Sequence, residues 1–218
     1  MTRGVRFFLI LGVGLLAVDG AVFGLMMSGA LEAHAPGPNV VSSGTAAIGG
    51  PFALVTADGR NVTEQTYRGK WMLIYFGYTA CPDACPTALT NMSVALQQLR
   101  SEAGPIQPLF ITVDPERDKA AVLRDYLTSF DPRIVGLTGS EAQTEAVVKT
   151  YRVYVKLEKS KGNDYSVDHS SYIYLMDLTG KFVAVIEGVT PPDQLADWLR
   201  KSIQEHSVCK AGNTCPAA

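Results

Sequence analysis

The chain has 218 residues, a formal net charge of −2 and 47% hydrophobic residues. That length suits one domain with its own core plus an extension. The near-neutral balance, with no basic patch, speaks against nucleic acid as a partner.

Arg3 and Arg6 precede a long apolar run, "FFLILGVGLLAVDGAVFGLMMSGAL", which has no Lys or Arg and one acid, Asp19. At about 1.5 Å per residue it is long enough to span a hydrocarbon core of ~30 Å. The pattern predicts an uncleaved single-pass anchor over residues 1–31, in an inner membrane. The arginines put the N-terminus in the cytoplasm and the soluble domain outside, in the periplasm. A cleaved signal peptide is the rival, because Ala33-His34-Ala35 fits small-residue processing. The apolar run exceeds the ~7–15 residues of a signal core, and Pro36 would follow the cut. Asp19 costs on the order of 2.5–3.5 kcal/mol at mid-span, which the surrounding Leu, Ile, Phe and Val offset. Gly20 and Gly24 have the small-xxx-small spacing of a close helix contact, so a membrane partner near Asp19 is the alternative to a tolerated acid.

Residues 32–50 are rich in Gly, Pro, Ser and Ala and read as a flexible tether. The folded domain then covers residues 51–207, with residues 208–218 as a tail. "PFALVTADGRNV" predicts a strand and a turn at Asp58-Gly59. "KWMLIYFGYT" is a short, nearly continuous apolar run, as in a buried central strand. "PTALTNMSVALQQLR" places Leu89, Met92, Leu96 and Leu99 at helical spacing. "QPLFITVD" reads as another buried strand. "DKAAVLRDYLTSF" reads as a helix with a stripe of Val122, Leu123, Tyr126, Leu127 and Phe130. "RIVGLTG" is a short strand, and "SEAQTEAVVKTY" a helix capped by Ser140. "YVKLEK" and "SSYIYLMDLTG" read as strands, and "KFVAVI" returns after Thr179-Gly180 as an antiparallel partner. "PPDQLADWLRKSIQE" is a closing helix begun by prolines. The alternation predicts an α/β domain, a mixed sheet flanked by helices, with two cysteines after an early central strand. That layout is thioredoxin-like.

Those cysteines lie in "YFGYTACPDACPT". Pro86 inside a helix would cost a hydrogen bond, so the main helix is expected to start at Pro86. Cys85 then falls at or next to the N-cap, with Cys81 in the preceding turn. A helix N-terminus favours anions and lowers thiol pKa, and the thiolate is both nucleophile and metal ligand. The alternatives are a buried structural pair or a permanent disulfide. Four cysteines, Cys81, Cys85, Cys209 and Cys215, allow three pairings, with 81–85 and 209–215 nearest in sequence. The three-residue spacing departs from the Cys-x-x-Cys of ordinary thioredoxins. Two soft thiolates suit Cu(I), and an added imidazole would also suit Cu(II). Of His34, His169 and His206, His169 is best placed, between the polar "KSKGNDYSVD" and a core strand. Asp168 could orient it or only solvate the loop.

"YFGYTACPDACPTAL", "ITVDPERD" and "VDHSSYIYLMDLTGKF" together resemble the Sco/SenC family of copper-binding, thioredoxin-like proteins. The resemblance covers nearly all of residues 51–207. It implies Cys81, Cys85 and His169 as copper ligands and 81–85 as a pair able to form a disulfide. It implies a role in assembling the dinuclear CuA centre of cytochrome c oxidase, with the oxidase's CuA-bearing subunit as partner. Asp83 and Asp114 match motif positions. Asp83 is expected to cap or brace the turn, and "DPERD" to be a solvated turn capping the next helix. "HSVCKAGNTC" has no counterpart in the family pattern. With His206, Cys209 and Cys215 it reads as a small disulfide in a loose tail, or as a second soft-metal site or a resolving disulfide.

The resulting expectation is a membrane-tethered copper chaperone. Two rivals use the same thiols. In one, the Cys81/Cys85 pair acts as a thiol–disulfide reductase for the target's copper-ligand cysteines. In the other it is a peroxiredoxin-like peroxidase.

Overall fold

The computed structural model describes residues 40–43, 47–159 and 165–210, all within the unit that begins at Pro38. The expected anchor, Asp19, His34 and Cys215 lie outside the described residues. So do the side chains of His206 and Cys209. Among the described residues, no helix is long and apolar enough to cross a membrane.

The central strand β4 (Trp71–Gly77) is buried at every position. A strand covered on both faces has no polar side to show, which is why its sequence is an unbroken apolar run. It lies between β5 (Ile106–Thr112), parallel to it, and β9 (Tyr172–Met176), antiparallel. β6 (Val135–Thr138) extends the parallel set beyond β5. Helix α1 (Ala84–Leu99) connects β4 to β5, and α2 (Ala120–Leu127) connects β5 to β6. The hairpin of β2 (Ala53–Thr56) and β3 (Asn61–Thr63) adds antiparallel to β6, turning at Gly59 with φ 90°. On the other side β10 (Phe182–Glu187) pairs with β9, and β1 (Val40–Ser43) pairs with β10. The sheet order is β1-β10-β9-β4-β5-β6-β2-β3. The mixed sheet and its closing hairpin match the sequence expectation.

Apolar residues at helical spacing seat α1. Ala88, Leu89, Met92, Ala95, Leu96 and Leu99 are all buried, and α1 packs against α4 (Pro192–Lys210). α3 (Glu141–Thr150) is capped by Ser140, whose hydroxyl accepts from the Gln143 N–H in a full capping box.

The structure departs from the sequence expectations in several places. Val40–Ser43, inside the stretch read as a tether, is an edge strand, which suits the β-branched Val-Val pair. In α2 only Leu123 and Leu127 are buried. Val122 is 45% exposed, and Phe130 lies past the helix end. α4 runs to Lys210, beyond the boundary placed at 207.

The polar stretch before His169 ends in a strand, not a loop. β8 (Tyr165–His169) pairs antiparallel with β7 (Val155–Lys159) as a ribbon of its own, separate from the main sheet. Its burial alternates, with Ser166 and Asp168 exposed and Tyr165, Val167 and His169 turned inward. Alternation is the mark of a strand covered on one face only.

Candidate metal centre

β4 aims the chain at the site. It ends at Gly77, where a Cβ would sit 2.8 Å from Cys85 Sγ and 2.9 Å from the Phe110 ring. Only a residue without a side chain lets the first turn of α1 approach this closely. The turn after Gly77 carries Cys81, whose N–H donates to the Tyr78 carbonyl at 3.3 Å. Asp118 anchors that turn. Its carboxylate accepts from the Thr79 N–H (3.0 Å), the Thr79 hydroxyl (2.6 Å) and the Thr112 hydroxyl at the end of β5 (2.7 Å).

α1 begins at Ala84, with Asp83 at the N-cap, so Cys85 is inside the first turn and not at its edge. The expected start at Pro86 is therefore two residues late. The physical reason is that the first four N–H groups of a helix have no internal partner, so a proline there breaks nothing. Asp83 makes no side-chain cap bond. Its carboxylate accepts from the Thr87 hydroxyl at 3.4 Å, so it braces the turn without capping it. The free Cys85 N–H instead donates to Cys81 Sγ at 3.4 Å.

The ribbon supplies the third group. His169 ends β8 and places Nε2 3.4 Å from Cys85 Sγ. Its Nδ1 lies 3.0 Å from the Ser170 carbonyl oxygen. A carbonyl can only accept, so Nδ1 carries the proton and Nε2 presents its lone pair to the sulfurs. Asp168 does not orient the ring: it is exposed on the opposite face of β8. Tyr75 and Tyr78 flank the imidazole edge-on, at 6.3 and 5.8 Å between ring centroids. The Tyr75 hydroxyl lies 2.9 Å from Ser171 Oγ and 4.0 Å from Cys85 Sγ, bridging the helix cysteine to the segment after the histidine.

The ligand atoms of Cys81, Cys85 and His169 all lie within 4.8 Å of one another. Both cysteines are free thiols, Cys81 partly exposed and Cys85 fully buried. Their environments are opposite. The Cys85 thiol, helped by the backbone N–H groups of Cys85 and Asp83, holds Cys81 far below the ordinary thiol range. The Cys81 sulfur and burial push Cys85 up. One thiolate beside one thiol is the state expected of two sulfurs sharing a proton at a helix N-terminus. A soft ion that displaced the proton would meet two sulfurs and one imidazole nitrogen, a donor set suited to copper.

"DPERD" is not the solvated helix cap expected, although Glu116 is exposed. Asp114 and Asp118 are buried, and α2 starts at Ala120 after Lys119 with no side-chain cap. Asp114 pairs with Arg117 Nε and accepts from the Tyr165 hydroxyl at 2.8 Å. Burial and the Asp114 carboxylate push that phenol up to about 12, so it stays a donor. Tyr75, Asp118 and Arg117 also belong to the surroundings of the site, where the sequence assigns them no role. A tyrosine within the apolar run of β4 is an available signal for Tyr75, whereas Arg117 and Asp118 sit in a charged cluster that gives none.

The SCO1/SenC family model matches residues 40–204. The chain is 41% identical over 166 residues to Protein SCO1 homolog 1, mitochondrial, of Arabidopsis thaliana, covering 76% of this chain and 50% of that protein. The chain thus spans about half the length of that curated relative. It is similar to the structure of Bradyrhizobium japonicum ScoI with copper bound, with TM-score 0.67 and 44% identity over 71% of this chain and 99% of that one. It is also similar to BsSco, described as a member of the Sco family of cytochrome c oxidase assembly proteins with a disulfide switch. There the TM-score is 0.60 and the identity 26%, over 74% of this chain and 97% of that one. With a match that takes in most of its length, and with relatives that share both its sequence and its thioredoxin-like fold, the chain belongs to the SCO1/SenC family.

Proposed function

We propose that this protein is a copper-binding assembly factor for the CuA centre of cytochrome c oxidase, with copper as its cargo. Cys81 and Cys85 bind the ion as thiolates, and His169 completes the site through Nε2. The observation that carries this reading is the convergence of three soft or borderline donors within 4.8 Å, from segments 84 positions apart. The copper-bound relative and the oxidase-assembly description of BsSco support it. Arg3, Arg6 and the apolar run to residue 31 support an inner-membrane tether, with the domain in the periplasm facing the CuA-bearing subunit. Oxidation of Cys81 and Cys85 to a disulfide removes two of the three donors, so redox state gates loading.

The test is an anaerobic Cu(II) titration of the reduced full chain beside His169→Ala. The wild type develops a thiolate-to-copper charge-transfer band, which the variant loses or shifts. The two thiolates keep Cu(I) in both. An unchanged band and unchanged Cu(II) affinity in His169→Ala would overturn the three-donor site.

One observation favours a second activity: the partly exposed Cys81 sits beside a fully buried Cys85. That is the arrangement of an attacking and a resolving thiol. Cys81 thiolate attacks a disulfide in the oxidase subunit and releases one target thiolate. Cys85 then attacks the mixed disulfide, its proton passing to the released sulfur. The second target sulfur leaves as a thiolate and takes its proton from water, so the target leaves as a dithiol and Cys81–Cys85 becomes the disulfide. This activity survives His169→Ala, which separates it from copper delivery.

A further inference from the structure

Arg117 links three segments that converge around the cysteines: the loop after β5, the start of β8 and the turn after β4. Its Nε pairs with the buried Asp114, and its Nη1 donates to the Tyr165 carbonyl at 2.9 Å. Its guanidinium lies over the Tyr165 ring at 3.8 Å and over the Tyr78 ring at 5.6 Å. The Tyr165 hydroxyl closes the circuit onto Asp114 at 2.8 Å. Tyr78 precedes the cysteine turn and touches the His169 ring. Tyr165 opens β8, and His169 ends it.

We infer that the Asp114–Arg117–Tyr165 clamp positions His169 against the cysteines, which makes Arg117 the positioning residue for the third donor. This rests on the three-donor reading above. The argument is mechanical. The β7–β8 ribbon shares no strand pairing with the main sheet, and a two-stranded ribbon alone is marginally stable in water. The short link from His169 to β9 ties one end of the ribbon to the main sheet, so it is the Tyr165 end that side chains must orient. Tyr165, Val167 and His169 share one face of β8, and Val167 in the middle is buried. The link to β9 and the buried Val167 hold the His169 half of the strand and leave its Tyr165 end free to swing. A second attachment about 13 Å from His169, four residues back along the strand, removes that freedom. Arg117 provides it at Tyr165, and through Tyr78 it also backs the wall on which the imidazole rests. Lysine cannot replace it, because an ammonium lacks the planar fork that stacks and donates at once.

The clamp therefore matters for an ion that needs the imidazole and much less for one satisfied by two thiolates. The test uses the full chain, reduced, in wild type, Arg117→Lys, Tyr165→Leu, His169→Ala and each clamp variant combined with His169→Ala. In Arg117→Lys and Tyr165→Leu, Cu(II) affinity is expected to fall about 10–100-fold, as for other outer-shell ligand supports. The charge-transfer band moves toward that of His169→Ala, and Cu(I) affinity changes little. Added to His169→Ala, either substitution has no further effect on Cu(II). An Arg117→Lys protein with wild-type Cu(II) affinity and band, or one that weakens Cu(II) equally with and without His169, overturns the inference. If Arg117→Lys does not fold, Tyr165→Leu decides by the same cycle, since it leaves no new charge unpaired by deletion of its partner. The His169 ring resonances of the metal-free chain provide an independent readout. They shift or broaden in the clamp variants if the clamp positions the ring, and unchanged resonances count against it. Should wild type and His169→Ala bind Cu(II) alike, the three-donor reading is what fails, and the ring resonances still judge the clamp.

Discussion

His169 Nε2 lies 3.4 Å from Cys85 Sγ, across 84 positions of sequence. The contact joins the first turn of a core helix to the last residue of a ribbon outside the main sheet. Each partner is held by its own device, Gly77 beneath the cysteine and the Ser170 carbonyl behind the imidazole.

The two thiols should react at different rates. Cys81 is partly exposed and held as a thiolate, while Cys85 is buried and held as a thiol. Iodoacetamide labelling of the reduced chain, read by peptide mass spectrometry, should modify Cys81 at least about tenfold faster. A free thiol loses about tenfold in thiolate per pH unit below its pKa. Cys81 is shifted downward, so its labelling rate should stay nearly flat from about pH 8 to about pH 6. A normal tenfold-per-unit fall would contradict the shared-proton arrangement.

Gly77→Ala should destabilise the fold and disturb the site together. The new methyl would meet Cys85 Sγ at 2.8 Å, the Phe110 ring at 2.9 Å and the Tyr75 ring at 3.0 Å, all in the core. Overpacking of this kind costs about 1–3 kcal/mol. A urea unfolding midpoint equal to that of the wild type would show that α1 does not need this close approach.

Asp118 should anchor the cysteine turn. Asp118→Ala leaves the Thr79 N–H and two hydroxyls without their acceptor, at a cost of about 1–3 kcal/mol. Asp118→Asn should cost less, because the Thr79 hydroxyl can reverse its bond. Burial holds the carboxyl above its ordinary value of 3.8, against the hydrogen bonds that lower it. A raised folded pKa means that the native state binds the proton more tightly than the unfolded chain. That stabilisation is complete below the unfolded value and is lost as pH rises through the folded one. The stability of wild type relative to Asp118→Asn should therefore fall as pH rises above 3.8. Chemical denaturation of both proteins across that range checks the sign.

Much of the site was legible because its signals are local. The apolar run to Phe76, the proline after each cysteine and the helical spacing of Leu89, Met92, Leu96 and Leu99 specify strand, turn and helix within one stretch of chain. The helix start was misplaced by two residues because an N-terminal helix turn tolerates proline, and sequence alone does not say which turn is first. The aspartates of "DPERD" carry the sequence signature of solvated residues, a charged cluster between a strand and a helix. Their burial depends on Tyr165 and Thr79, which arrive from elsewhere in the chain.

The sequence by itself determined the alternation of strands and helices and the placing of two cysteines at the mouth of a strand-to-helix turn. Short-range sterics and hydrophobic periodicity are enough for that. Only the tertiary structure decided how His169 meets the cysteines, which cysteine is buried and what aims the imidazole. Those outcomes depend on strand order and on a ribbon packed by side chains, so residues distant in sequence share one small volume that no local pattern encodes.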